Sequence, residues 1–362
     1  MHSIKKEYTV IELFAGAGGL ALGLEKAGLK CLALNEINHW AAETLRTNRP
    51  NWNVIEGDIK NVSFPELFGK ADVVAGGFPC QAFSYAGKKL GFQDARGTLF
   101  YEFARIVNET KPAICIGENV RGLLSHDKGK TLRGMISILD EIGYRVLEPQ
   151  VLKAIYYGTP QKRERLVIVG IRKDIDANFH YPAPNFNEVF VLRDALKKGR
   201  LYDTDVPKAP GAKYPNRKKE ILALVPPGGY WRNLPSDIQK EYMLQSFYLT
   251  GGKTGIARRI SWDEPSLTLT CSPAQKQTER CHPEETRPFT VREYARIQTF
   301  PDDWGFCGSM NEQYKQIGNA VPVNLGKAIG NSIIDFLKRK DGNKLSVKKV
   351  TVESRQYLPL AF

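Results

Sequence analysis

Within the first 180 residues, short apolar runs alternate with segments of helical periodicity, and this alternation narrows the available folds more than any other feature of the chain. Tyr8–Phe14, Cys31–Asn35, Asp72–Ala75, Ala113–Gly117 and Leu166–Ile171 read as strands. Between them, Leu20–Ala27, Trp40–Thr47, Thr98–Asn108 and Thr131–Ile142 place apolar side chains at helical spacing. Repeated strand–helix units bury both faces of a mostly parallel sheet, so the expected class is α/β with a Rossmann-like, doubly wound sheet.

The pattern breaks near Tyr181-Pro182-Ala183-Pro184. From there to about Glu285, proline, glycine and aromatic residues are frequent, as in Val225-Pro226-Pro227-Gly228-Gly229-Tyr230-Trp231, and helical periodicity fades. The expected organisation is a large domain over 1–181, a smaller irregular, strand-rich domain over 182–285, and a return segment over 286–340 that completes the large domain. A basic tail over 341–362 ends the chain. Thr290–Gln298 resumes a regular pattern, and a last helix starts at Pro322, a residue suited to a first helical turn. Its apolar positions Leu325, Ala328, Ile329, Ile333, Phe336 and Leu337 would pack it against the large domain.

With 362 residues, 42% of them hydrophobic, the chain has enough apolar material for a core without covalent staples. Six cysteines occur, none in a Cys-x-x-Cys pair, a spacing that suits neither a disulfide framework nor a tetrahedral zinc site. No metal is expected, and the chain reads as a cytoplasmic protein. The uncharged run Leu13–Leu24 has 12 residues, too few to span a bilayer. A net charge of +13 favours a polyanionic partner, because each phosphate neutralised releases condensed counterions.

The first strand runs into Phe14-Ala15-Gly16-Ala17-Gly18-Gly19-Leu20 and then a helix. Glycines at such a turn permit a tight bend and a close approach of ligand to backbone. Glu36 follows Gly16 by 20 residues, at the end of the second strand, where a carboxylate accepts hydrogen bonds from ribose hydroxyls. Asp58, beyond the next short segment, is a candidate receiver of an adenine amino group. These residues specify an adenosine-containing cofactor without choosing between a nicotinamide and a methyl donor.

Asp72–Ala75 then leads through two glycines and Phe78-Pro79 to Cys80-Gln81-Ala82-Phe83-Ser84, putting a thiol at the carboxyl edge of the sheet. In open α/β sheets that edge is where ligands bind. The strand Ala113–Gly117 delivers Glu118-Asn119 to the same edge, and Gln161-Lys162-Arg163-Glu164-Arg165 places two arginines on one side of an extended segment. Pro79-Cys80-Gln81, Glu118-Asn119-Val120, Gln161-x-Arg163-x-Arg165 and Gln316-Ile317-Gly318-Asn319-Ala320-Val321-Pro322 stand in the order of the DNA cytosine-5 methyltransferase family, which the chain resembles. Phe14-x-Gly16-x-Gly18-Gly19 and Arg287-Pro288-Phe289-Thr290-Val291-Arg292-Glu293 fit the same family, here in its compact restriction–modification form.

The resemblance implies methyl transfer from S-adenosyl-L-methionine to carbon 5 of cytosine in double-stranded DNA. Cys80 would be the nucleophile, Glu118 the hydrogen-bond donor to ring nitrogen 3, with Asn119 supporting it, and Arg165 would hold the base's carbonyl oxygen. Arg163 or Arg165 would supply positive charge near the thiolate. Phe14, Gly16, Gly18, Gly19, Glu36, Asp58, Ile59, Pro79, Leu99 and Asn319 would bind the cofactor. Gln81 and Ser84, with Arg258, Arg259, Thr268, Lys276 and Arg280 from the 182–285 region, are candidate DNA contacts; for the four cations the ground is charge alone. The expected state is a monomer, with a restriction endonuclease acting on the same site without forming a complex. Methylation of RNA cytosine by the same chemistry and a nicotinamide-dependent oxidoreductase are the competing readings. An adenine-directed enzyme would call for an Asp/Asn-Pro-Pro-aromatic segment, which Val225-Pro226-Pro227-Gly228 does not match.

Overall fold

The computed structural model of the chain describes residues 6–79 and 98–342. Its five early strands are β1 (Tyr8–Leu13), β2 (Leu29–Glu36), β3 (Val54–Glu56), β4 (Val73–Gly76) and β5 (Ile114–Val120). They pair in parallel in the order β3-β2-β1-β4-β5. Three antiparallel strands follow: β6 (Tyr144–Val146), β7 (Gln150–Lys153) and β9 (Glu164–Arg172), with β9 against β5 and both shorter strands against β9. The order reverses between β1 and β4, which makes the crevice above their carboxyl ends the expected ligand site of such a sheet.

Alternation along the strands divides the apolar residues between two cores. Ile11, Leu13, Val74, Cys115, Leu166 and Ile168 face helices α3 (Leu99–Thr110) and α4 (Lys130–Glu141). Val10, Val73, Ala75, Ile114, Ile116, Val167 and Val169 face α1 (Gly19–Ala27) and α10 (Val323–Lys340). The last helix buries Leu325, Ile329, Ile333, Phe336 and Leu337 in that second core, as its spacing predicts, with Ala328 half-buried. α1 and α10 pack with almost no side chain between them: a Cβ added at Gly23 would lie 2.6 Å from backbone atoms of Val323, Gly326 and Lys327.

A third core joins α2 (His39–Asn48) to the return segment, whose helices are α8 (Val291–Ile297) and α9 (Met310–Asn319). It also takes in Leu192, Ala195 and Leu196 of the short helix α5 (Leu192–Leu196). A fourth core, built from Tyr214, Leu222, Trp231, Met243, Ala257 and Cys281 among others, belongs to the smaller unit. That unit is irregular, but its regular elements are mainly the helices α6 (Asn216–Ala223) and α7 (Ser236–Met243). Its one strand among the described residues, β10 (Ser266–Leu267), pairs with β8 (Gln161–Lys162) of the large unit instead of a neighbour of its own. The prolines and aromatics that suggested strands mark helix starts, at Pro215 and Pro235, and core fillers such as Trp231. Among the described residues, no helix is long and apolar enough to cross a membrane.

The close approach of α1 and α10 gives a direct test. Gly23→Ala should lower stability by about 1–3 kcal/mol through overpacking against backbone, whereas Gly199→Ala, with open space around its Cβ position, should change it by less than about 0.5 kcal/mol. Urea unfolding of the two variants beside the parent chain checks the difference.

Candidate active site

β1 ends at the glycine turn, where Phe14 takes a left-handed φ of +58°, rare for a bulky residue, and Gly16 and Gly18 follow at +54° and +82°. Gly18 caps α1 without a side-chain hydrogen bond and lies against Leu45 and Trp304, so its role is in the bend and its packing. Gly16 has open space at its Cβ position and donates its N–H to Glu36 Oε2 at 2.7 Å. The other Glu36 oxygen accepts from the Asn38 N–H at 2.7 Å. The turn and the end of β2 are thereby locked in one geometry at the point where the sheet order reverses.

Above this point lies a cavity of about 840 Å3. Its wall includes Phe14, Gly16, Gly19 and Glu36 on one side and Pro79, Glu118, Asn119, Arg163 and Arg165 on another. Thr268, Leu269, Thr270, Cys271 and Asn319 close it. Residues as far apart in sequence as Phe14 and Asn319 therefore line one cavity. Asp58, Ile59 and Leu99 stand outside this wall. Ile59 and Leu99 pack in the same apolar cluster as Phe14, and Asp58 starts the helical turn that carries Ile59, accepting from the Lys60 N–H at 3.0 Å. A comparable hollow of about 790 Å3, walled by Lys208, Tyr214 and Arg287, holds none of the sequence-predicted site residues. Cys80, Gln81 and Ser84 lie outside the described residues.

Glu118 is buried, and Arg165 Nε lies 2.5 Å from its Oε1. Arg165 therefore holds Oε1 as a close ion pair, and a carboxylate oxygen so held has a second lone pair for a further donor. Burial pushes the Glu118 carboxyl above its ordinary range, and the positive charges of Arg165 and Arg163 oppose that push. A Cβ at position 77 would stand 2.7 Å from Glu118 Oε2, so a side chain there would displace this carboxylate. Asn119 donates its amide to the Phe78 carbonyl at 2.8 Å, fixing the chain just before Pro79.

Arg163 serves differently from a free charge beside a thiolate. The residue is 2% exposed, and its guanidinium donates to the carbonyls of Leu269 (3.2 Å), Gly318 (2.9 Å) and Asn319 (3.3 Å). Burial lowers its pKa to about 9, with repulsion from Arg165 adding to the effect. Beside it, Gln161 donates to Gln298 at 2.9 Å and accepts from the Leu269 N–H at 3.0 Å. Thr268 donates its hydroxyl to the Lys162 carbonyl at 2.6 Å. These bonds seat the 268–271 strap on the large unit.

Three arginines singled out by charge also turn out to be committed within the fold. Arg259, 4% exposed, donates to the carbonyls of Leu222, Val225, His282 and Pro283 and to the Thr286 hydroxyl. Arg280 holds the Thr268 and Glu279 carbonyls, and Arg258 pairs with Glu264 at 2.7 Å while donating to Gly228. Their guanidinium groups tie the smaller unit together. Lys276 is half-buried, with its ammonium over the Tyr242 ring at 4.9 Å.

Glu12 is the cavity residue that motif reading passed over. It is 2% exposed in β1, and its Oε2 has no hydrogen-bond partner among the described residues. Burial holds its carboxyl well above the ordinary range, assisted by Glu118 and Glu36 and opposed by the Ala21 N–H. The signal was present in the sequence as a lone acid inside the apolar run Tyr8–Leu13. An orphan carboxylate oxygen and open space over Gly16 suit a ligand with an ammonium group and a carboxylate, as S-adenosylmethionine has.

Sheet order, glycine turn and cleft together define a Rossmann-like fold with a ligand site at its switch point. Residues 8–335 match the family model described as C-5 cytosine-specific DNA methylase. The chain is 66% identical over 333 residues to the type II methyltransferase M.Eco47II of Escherichia coli, covering 92% of this chain and 80% of that protein. It is 54% identical over 337 residues to the type II methyltransferase M.Sau96I of Staphylococcus aureus, covering 92% and 77%. The crystal structure of the S. pombe Dnmt2 methyltransferase, 17% identical, superposes with a TM-score of 0.60 over 94% of this chain and 100% of that one, a likeness of fold. The chain belongs to the C-5 cytosine-specific DNA methylase family and is a DNA cytosine-5-methyltransferase.

The buried arginine of the smaller unit separates a structural role from DNA contact. Arg259→Met should destabilise the protein by about 3 kcal/mol or more, since it strands several buried carbonyls. Lys276→Ala should cost less than about 1 kcal/mol, the scale of a cation–π contact that is not fully desolvated. Chemical denaturation without DNA measures both.

Proposed function

We propose that the chain methylates one cytosine of a short recognition sequence in duplex DNA by covalent catalysis on an extruded base. The reading includes service in a restriction–modification system of the bacterial cytoplasm, acting as a monomer beside an endonuclease of the same specificity. What carries it is the one cavity that unites the glycine turn, the Glu118–Arg165 pair and the strap from the smaller unit. Residues 182–285 form the target-recognition domain in this reading, and 1–181 with 286–340 the catalytic domain.

S-adenosylmethionine supplies an activated methyl group on a sulfonium centre. Phe14, Gly16, Gly19, Glu36 and Asn319 would hold it at the cavity, with Gly18 shaping the turn. Pro79 would line the apolar side, Ile59 and Leu99 would back Phe14 from the cluster behind the wall, and Asp58 would receive the adenine amino group. A base inside a duplex cannot reach Glu118, so the cytosine must swing out of the stack. Cys80 adds as thiolate to carbon 6, and the ring becomes an enamine with a nucleophilic carbon 5. Glu118 in its protonated form donates a hydrogen bond to ring nitrogen 3 while charge develops there, and Arg165 holds the ring carbonyl oxygen. Asn119 keeps the Phe78 carbonyl, and with it the approach to Cys80, in place. Carbon 5 takes the methyl group and the cofactor leaves as its thioether; a base or water then removes the carbon 5 proton, the carbon 5–carbon 6 double bond re-forms, and Cys80 departs as thiolate.

Two measurements test this. Bisulfite sequencing of duplex DNA incubated with protein and S-adenosylmethionine should find 5-methylcytosine at one position of one short sequence. Methylation of transfer RNA but not of duplex DNA would defeat the reading. The raised Glu118 carboxyl sets the pH behaviour: the donor is present below that pKa and is lost as pH rises through it, so kcat/KM should fall on the alkaline side. Glu118→Gln carries an amide donor at every pH, so it should lack that alkaline limb while losing about 10²-fold or more in rate. A pH–rate profile of the variant identical in shape to the parent's would remove Glu118 from the role.

A further inference from the structure

Past Arg165 and Thr268 the catalytic cavity continues into a second hollow of about 490 Å3, and the two share Val120, Arg163, Arg165 and Thr268 in their walls. Arg121, Lys153 and Lys162 line the outer part of this hollow, against one acidic residue, Glu164. The placement of Lys162 follows from the strand: Gln161 and Arg163 are buried, so the residue between them turns outward. Lys162 has no ion-pair partner among the described residues. Arg121 pairs with Glu164 at 2.9 Å and Lys153 reaches the same carboxylate at 4.0 Å, with side chains 66% and 53% exposed. Arg121 and Lys153 therefore share one carboxylate while Lys162 pairs with none of the described residues, and all three are accessible to an anion from solution.

A base is joined to its two phosphates through a single sugar. A cytosine whose ring reaches Glu118 and Arg165 must leave its phosphates at the rim of that cavity, and this hollow is a stretch of that rim lined with positive charge. Val120, 47% exposed, is an apolar step between the two spaces, of a kind that suits a sugar. Resting on duplex DNA as the substrate, we propose that the hollow seats the phosphodiester backbone next to the extruded cytosine. Lys162 and Arg121 are its phosphate ligands, and Glu164 holds Arg121 and Lys153 in place until phosphate displaces it.

Fluorescence anisotropy of a labelled duplex carrying the target sequence, titrated with the full chain across a range of salt, tests the assignment. Each phosphate contact contributes about 0.9 to the slope of log affinity against log salt. Lys162→Ala should flatten the slope by about that amount, and Arg121→Ala likewise, with equal loss on target and non-target duplexes. Glu164→Gln should act in the opposite sense, tightening DNA binding and steepening the slope. A merely structural role would weaken binding in all three variants and leave the slopes alone. S-adenosylmethionine affinity, read by calorimetry, should be unchanged in each. Parent-like slopes in Lys162→Ala and Arg121→Ala, in a protein that methylates duplex DNA normally, would overturn this assignment alone. A parent protein that binds no duplex would overturn the substrate reading and this assignment with it.

Discussion

The buried guanidinium of Arg163 joins three stretches of chain, of which only two are also linked by strand pairing, the short β8–β10 ladder. Its hydrogen bonds run to Leu269 in the strap of the smaller unit and to Gly318 and Asn319 at the end of α9, while its own backbone belongs to the approach to β9. A buried cation needs acceptors, so the carbonyls that take the two terminal nitrogens of Arg163 dictate where strap and helix end must sit, although its Nε finds no partner among the described residues. Gly318 makes the junction tighter still, since a Cβ there would meet the Thr270 carbonyl oxygen at 2.4 Å. Cavity wall and recognition strap are consequently set by the same contact. Cys271, next in the strap, reaches Asn319 Oδ1 at 3.0 Å and continues that wall.

Within the frame so fixed, the chemistry depends on a balance of charge. Glu118, Glu12 and Glu36 border one cavity, and repulsion among them adds to burial in raising the Glu12 carboxyl. Arg165 and Arg163 offset part of this around Glu118. A carboxyl held between burial and a cation in this way can exchange its proton when a base nitrogen arrives, which a fully solvated glutamate would not do at neutral pH. Glu36 is different, because both of its oxygens already accept backbone N–H groups and its function as an anchor for the glycine turn is built into the fold.

The large domain was legible because its strands are long apolar runs and its chemistry sits at strand ends, where turn glycines, Glu36 and Glu118-Asn119 leave a pattern in sequence. β3, β6 and β7, of three or four residues each, carry too few apolar positions to show alternation. Helix α9 was hidden for a related reason: it buries mainly Tyr314, Gln316, Ile317 and Gly318, and only two of these are apolar side chains that mark a face. Charge misled at Arg258, Arg259 and Arg280. Their acceptors are mostly carbonyls, which every residue possesses, and Arg259 finds some of them more than 30 positions away. No composition-based reading separates such an arginine from one that faces a phosphate. Lys162 and Arg121 were overlooked for the converse reason, standing inside or beside motifs valued for their neighbours.

Covalent attack by Cys80 is the claim that gives every other residue its task, and one experiment addresses it directly. Duplex DNA with 5-fluorocytosine at the target is incubated with protein and S-adenosylmethionine, then resolved under denaturing conditions. Fluorine on carbon 5 cannot leave as a proton does, so elimination of the thiol stalls. The account predicts a protein–DNA adduct that survives denaturation, vanishes in Cys80→Ala and persists in Cys31→Ala. An adduct that survives in Cys80→Ala, or a parent protein that methylates ordinary cytosine yet never forms the adduct, would contradict it.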